Sequence, residues 1–180
     1  MKLKSILTQI IKEEVNKQLT EAEFSIDGKV PKWTSTDTLS KKSNELLDKV
    51  VEGTWKQNSD GSYDVNGNVD LTEKNLTKLP FKFNKVSGWF YCSYNKLTTL
   101  EGAPKEVGGG FYCDNNKLPT LEGAPTKVIR GGFYCGNNKL TTLKGAPTEV
   151  GGTFHCTGNK KQFTEDEVKE VSNVSGTIYV

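Results

Sequence analysis

The chain has 180 residues with a net charge of only +2, and it is long enough to bury a core in one elongated domain. A hydrophobic fraction of 34% with 18 glycines suits thin repeating turns better than a thick globule, and no stretch approaches the roughly 18 apolar residues of a membrane span. The charge is uneven: residues 69–162 carry 13 basic and 7 acidic side chains, which leaves the remainder of the chain at −4.

In chain order, Leu3, Ile6, Leu7, Ile10, Ile11, Val15 and Leu19 fall at helical spacing with lysine and glutamate between them, which predicts an amphipathic docking helix over residues 3–19. Its stripe suits packing on the body, on a second copy or in a groove of another protein. Glu13 and Glu14 among the lysines weigh against anionic lipid, so no membrane partner is expected. The first residues, interrupted by Gln9 and followed by charges, do not read as a secretory signal. Residues 21–33 hold Gly28 and Pro31 and read as a connector. A second helix is expected from Ser35 or Thr36 through Leu39, Leu46, Leu47, Val50 and Val51 to Gly53. Residues 54–66 predict a hairpin around Asn58-Ser-Asp-Gly61 that covers the first edge of a repeat region beginning at residue 67.

From residue 67 to the end the chain repeats itself. Cys92, Cys113, Cys135 and Cys156 stand 21, 22 and 21 residues apart, each two residues after Phe90, Phe111, Phe133 or Phe154. Such a period signals a solenoid, and the two-residue offset points phenylalanine and cysteine inward from one short strand. Val69 with Leu71 and Ile178 with Val180 repeat the pair at the ends, which predicts six stacked parallel strands about 4.8 Å apart. Asn95, Asn116, Asn138 and Asn159 follow each cysteine by three, suiting a buried amide ladder that satisfies backbone groups at a tight bend. Two leucine columns (Leu97, Leu118, Leu140; Leu100, Leu121, Leu143) fill the far side, Gly-Ala-Pro turns the chain, and Val86, Val107, Val128 and Val150 bring it back. The extra residue at Ile129-Arg130 predicts a small bulge. Thr164-Glu-Asp-Glu167 is a capping-box pattern, so a helix through Val168 and Val171 and a closing strand Thr177-Ile-Tyr-Val180 form the terminal cap.

Written as hydrophobic-x-hydrophobic-x-x-Asn-x-Leu-x-x-Leu, the segment Phe111-Tyr-Cys-Asp-Asn-Asn116-Lys-Leu118-Pro-Thr-Leu121 resembles the leucine-rich repeat. Its variant with Phe, Cys and Gly-Ala-Pro is similar to repeat proteins of tailed bacteriophages and some bacteria. The pattern departs at Lys74 and Lys161, where Asn and Leu are expected. The resemblance implies an α/β repeat: a short leucine-rich-repeat-like solenoid with helices and a hairpin before it and a helix-strand cap after it. It further implies a non-enzymatic protein-interaction scaffold, either associated with the virion or free in the host cytoplasm as a host-directed inhibitor. Leu19-Thr-Glu21 also resembles the cleavage signal of phage prohead proteases.

The residues between the two inward columns face outward. They are Asp70, Tyr91, Tyr112, Tyr134, His155 and Tyr179, with Trp89, Ser93, Tyr94, Asp114 and Asn115 beside them. In leucine-rich repeats this face binds partners, and aligned tyrosines are amphipathic anchors of low entropy cost, so Trp89, Tyr91, Tyr94, Tyr112, Asp114, Tyr134, His155 and Tyr179 are the expected protein-binding set. Cross-strand packing accounts for the same row without a partner. The cysteines lack any Cys-x-x-Cys pair and project in parallel, which suits buried inert thiols rather than zinc; neighbouring rungs are close enough for disulfides as an alternative. One histidine and no phosphate-binding glycine loop give no support for catalysis, and neither a cofactor nor a metal is expected. A module for single-stranded nucleic acid, with the tyrosines stacking bases, is the alternative class of function; it is disfavoured, because Lys96, Lys117, Lys139 and Lys160 follow the Asn bend, on an edge away from the tyrosines.

Overall fold

The computed structural model describes residues 36–180, and the chain divides into two units, residues 1–50 and 51–180. The predicted docking helix with Leu3, Ile6, Leu7, Ile10, Ile11, Val15 and Leu19, the connector and the Leu19-Thr-Glu21 motif lie outside the described residues. In the first unit, helix α1 (Thr36–Val50) buries Leu46, Leu47 and Val50, whose spacing puts them on one side of the helix. It stops at Val50 rather than Gly53, because the β-branched Val51 already pairs as a strand residue with Val69.

The second unit is a parallel β-solenoid of about six turns. Its strands in chain order are β1 (Val51–Gln57), β2 (Tyr63–Asp70), β3 (Phe83–Val86), β4 (Phe90–Tyr91), β5 (Glu106–Val107), β6 (Phe111–Tyr112), β7 (Lys127–Val128), β8 (Phe133–Tyr134), β9 (Glu149–Val150), β10 (Phe154–His155), β11 (Asn173–Val174) and β12 (Ile178–Tyr179). They make two ladders, and β2 starts both. Its first half pairs with β3, followed by β5, β7, β9 and β11, while Val69 and Asp70 pair with β4, followed by β6, β8, β10 and β12. The second ladder comprises the six strands that the sequence pattern predicts, in the predicted columns from Val69–Phe90 to Phe154–Ile178. The valine columns that bring the chain back form a ladder of their own. Between residues 71 and 164 there is no helix, so the repeats themselves are all β and the helices stand only before and after them.

The hairpin is more than a cover: its second strand is the first rung. β1 and β2 pair antiparallel from Val51–Val69 to Gln57–Tyr63, around a turn in which Gly61 takes φ +77°. To serve both ladders the chain must turn a corner at Gly67, and every later repeat turns there too, at Gly88, Gly109, Gly131, Gly152 and Gly176. These backbones touch: Gly88 N donates to the Gly67 carbonyl at 2.9 Å, and Gly109 N to the Gly88 carbonyl at 2.7 Å. A Cβ at Gly88 would sit 2.5 Å from the Gly67 oxygen, so only glycine fits this column. In the third repeat the additional Arg130 donates its N–H to the Gly108 carbonyl at 3.2 Å and leaves Ile129 half exposed, which absorbs the extra residue locally.

Phe90, Phe111, Phe133 and Phe154 fill the core with ring centroids 5.3–5.6 Å apart, flanked by the leucine, valine and cysteine columns. Burying each phenylalanine contributes about 1.5–3 kcal/mol. Where the leucines run out, Phe163 is buried in the last turn, and Lys161 pairs with Glu167 while standing 5.3 Å over the Phe163 ring. Helix α2 (Glu165–Val171) carries a complete capping box: Thr164 Oγ1 accepts from Glu167 N at 3.3 Å and Thr164 N donates to Glu167 Oε2 at 3.0 Å.

The asparagine column joins the rungs. Asn116 Nδ2 donates to the Cys92 carbonyl of the preceding rung at 3.0 Å and to its own Cys113 carbonyl at 3.1 Å, while its Oδ1 accepts from Leu97 N at 2.9 Å. Asn95, Asn138 and Asn159 repeat this arrangement. Just before each asparagine the backbone enters the left-handed region, at Tyr94 (φ +56°), Asn115 (+56°), Asn137 (+51°) and Gly158 (+71°), which turns the chain away after the two-residue strands β4, β6, β8 and β10.

Candidate binding face

The second ladder presents one row of aromatic side chains. Tyr91, Tyr112, Tyr134 and His155 are held outward because their neighbours on either side in sequence, phenylalanine and cysteine, are buried. The rings of Tyr91 and Tyr112 stack at 5.0 Å and those of Tyr112 and Tyr134 at 4.4 Å, with planes 5° apart in the latter pair. His155 lies 6.1 Å from Tyr134, and Tyr179 lies 5.8 Å from His155, both tilted. Trp89 joins the row from the corner, 6.3 Å from Tyr91 and 5.9 Å from Tyr112, both stacked. Trp89, Tyr91, Tyr112, Tyr134, His155 and Tyr179 therefore form one array.

The remaining expected contacts stand apart from it. Tyr94, 58% exposed, occupies the left-handed bend and makes no ring contact with the row. Asp114 is engaged within its own chain, since Ser93 Oγ and Asn115 Nδ2 each donate to one of its oxygens at 2.6 Å. It braces the bend rather than offering a free carboxylate.

Stacking decides what the row can do. The inner rings turn their faces to one another along the solenoid axis, so what they show outward is ring edges and hydroxyl groups. A ring edge carries the positive end of the aromatic quadrupole, and a phenol can donate or accept, so the ridge suits polar-apolar contact better than intercalation of a flat ligand. Burial, followed by the neighbouring Tyr134 and Tyr91, pushes the Tyr112 hydroxyl up to about 12. Tyr91 is also raised, first by burial and next by Asp70 and Glu52. These phenols are neutral donors across the physiological range. At the far end, the Thr157 hydroxyl contacts His155 Nε2 at 3.2 Å.

The space for the row comes from glycines. A Cβ at Gly110 would lie 2.9 Å from the Trp89 ring, one at Gly132 2.7 Å from the Tyr134 ring, and one at Gly136 3.0 Å from His155. A glycine standing beside an outward aromatic, of the neighbouring rung for Gly110 and Gly136 and of its own rung for Gly132, is the signal that would have marked this packing.

All four cysteines are free and buried. Desolvation drives their thiols up: Cys92, Cys113 and Cys135 lie far above the usual thiol range, and Cys156 reaches about 11. Among the described residues no three His, Cys, Asp or Glu side chains converge as metal ligands, and no helix is long and apolar enough to cross a membrane. In comparisons with family models, with characterised proteins and with solved structures, none matches the chain.

Proposed function

We propose that the solenoid is a protein-binding module whose contact surface is the aromatic ridge of Trp89, Tyr91, Tyr112, Tyr134, His155 and Tyr179. The observation that carries this reading is the ridge itself: six aromatic side chains, none of them part of the core, held in register at centroid distances of 4.4–6.3 Å. Their order is set by the fold before any partner arrives, so binding immobilises little that was mobile. Tyrosine and tryptophan are also the side chains that concentrate binding energy at interfaces. Within this reading, the repeat is a leucine-rich-repeat-like variant of the kind carried by tailed phages, and the chain works without catalysis in one of two settings. In the first it is a component of the virion; in the second it is a host-directed inhibitor.

Proteomics of purified particles beside infected-cell lysate separates the two settings, by stoichiometric presence in particles or absence from them. The ridge is tested by affinity capture from the same lysate, with wild type beside Tyr91→Ser/Tyr134→Ser and a control carrying Thr98→Ser/Thr141→Ser on a neighbouring edge. A specific partner retained by the control and lost by the ridge variant supports the reading. Equal capture by all three refutes it.

A further inference from the structure

Charged columns on this solenoid are of two kinds. Lys85, Glu106, Lys127 and Glu149 follow one another up the first ladder with alternating sign, so Lys85 meets Glu106 at 3.2 Å and Lys127 meets Glu149 at 2.7 Å. Glu122 and Lys144 pair across rungs in the same way at 2.8 Å. The column after the asparagine ladder breaks that pattern. Lys96, Lys117, Lys139 and Lys160 repeat one sign on four consecutive turns, all exposed, and none forms an ion pair among the described residues.

The row is geometrically fixed at its base. Lys96 N, Lys117 N and Lys139 N donate to the carbonyls of Leu76, Leu97 and Leu118 at 2.7, 2.9 and 3.0 Å, so their Cα atoms climb in register at about 4.8 Å per turn. Neutral hydrogen-bonding residues line it, with Asn115 and Asn137 before the lysines and Thr98 and Thr141 after them. Asp114, three residues before Lys117, has both oxygens occupied by Ser93 and Asn115.

We propose that this lysine edge binds the phosphate backbone of a nucleic acid without reading its sequence. One cation per turn, with no other recognition group, matches a polymer charged at every unit, whereas an acidic peptide would need its carboxylates placed to order. Lysine is a point charge suited to phosphate, and paired recognition of carboxylates favours arginine. The single arginine, Arg130, has its Nε on the Gly108 carbonyl at 3.2 Å. The inner rings of the aromatic ridge have their faces covered by one another, so bases find no open stack there; the contact rests on charge.

The test is fluorescence anisotropy of the full chain with a labelled 20-nucleotide single strand and the matching duplex, titrated across salt. Four neutralised phosphates give a slope of log K against log salt of about −3.6 for duplex and about −2.8 for single strand. Lys117→Gln/Lys139→Gln should weaken binding at least about tenfold at low salt and lower the slope by about two. Lys85→Gln/Lys127→Gln, with the same change of net charge, should stay within about twofold of wild type; circular dichroism checks the fold of both. Equal weakening by the two pairs, or no binding at low salt, overturns the proposal. Tighter binding of polyglutamate with the same dependence on Lys117 and Lys139 also overturns it, in favour of an acidic polypeptide.

Discussion

Replacing Asn116 by alanine removes one member of the amide ladder, and the bonding around it sets the cost. The Cys92 carbonyl keeps its bond from Asn95 Nδ2 at 3.0 Å, and the Cys113 carbonyl keeps its bond from Asn138 Nδ2 at 3.0 Å. Each carbonyl loses only one of two donors, at about 0.5–1.5 kcal/mol apiece. Leu97 N fares worse, because Asn116 Oδ1 is its acceptor and the site is buried; an orphaned N–H costs about 1–3 kcal/mol. The expected loss is therefore about 2–6 kcal/mol, measured as a drop in urea midpoint at unchanged slope. Asn116→Asp keeps the shape but presents oxygen where two carbonyls need a donor. Burial raises the folded-state pKa of that new carboxyl, so the variant is least stable at neutral pH and recovers stability, relative to wild type, as falling pH protonates it. A loss below about 1 kcal/mol for Asn116→Ala would refute the claim that the ladder satisfies otherwise unpaired backbone.

The packing sets three further outcomes. The thiols of the folded protein should resist a disulfide reagent at pH 8, with Cys156 the first to react and all four reacting after denaturation; fast reaction of Cys113 in the folded state would contradict its burial. Because the Tyr112 hydroxyl is raised to about 12, its proton is held in the folded chain after the unfolded chain has lost it. Stability should accordingly decline as pH rises from about 10, the ordinary tyrosine value, toward 12, and the decline should shrink in Tyr112→Phe when followed by thermal melts. Gly110→Ala should displace the Trp89 ring and shift its fluorescence, whereas Gly108→Ala, whose Cβ would lie 2.0 Å from the Ser87 carbonyl oxygen, should unfold the rung; equal effects would contradict the geometry.

The columns were legible in the sequence because each turn repeats the same burial, so Phe-x-Cys and the asparagines declare their roles several times over. The start of the solenoid was not. Residues 54–66 read as a separate hairpin because Tyr63, Val65 and Val69 look like one ordinary amphipathic strand, and nothing in their spacing says that the two halves serve different ladders. Val51 read as helix because it continues the stripe of Leu46, Leu47 and Val50; its pairing with Val69 is a long-range choice that no local pattern carries. The aromatic row was visible as a set of outward residues, yet the turning of its faces inward along the axis depends on glycines of the same and adjoining turns. Tyr94 and Asp114 were named for the site by nearness in sequence; Tyr94 occupies a left-handed bend outside the ring array, and Asp114 is engaged by Ser93 and Asn115.

The handing of each asparagine's bonds to the turn before it makes the middle of the array interchangeable. A block from Cys92 to Tyr112 could be duplicated in frame, since its backbone and asparagine bonds would find the same partners in its copy, while β1, β2, α2 and β12 remain as fixed ends. Each inserted block would lengthen the protein by about 4.8 Å. It would also add one ring to the ridge and one charge to the lysine edge in the same step. The two surfaces are thus geared to a single count of turns, and the valency of both is set by how many blocks the gene carries.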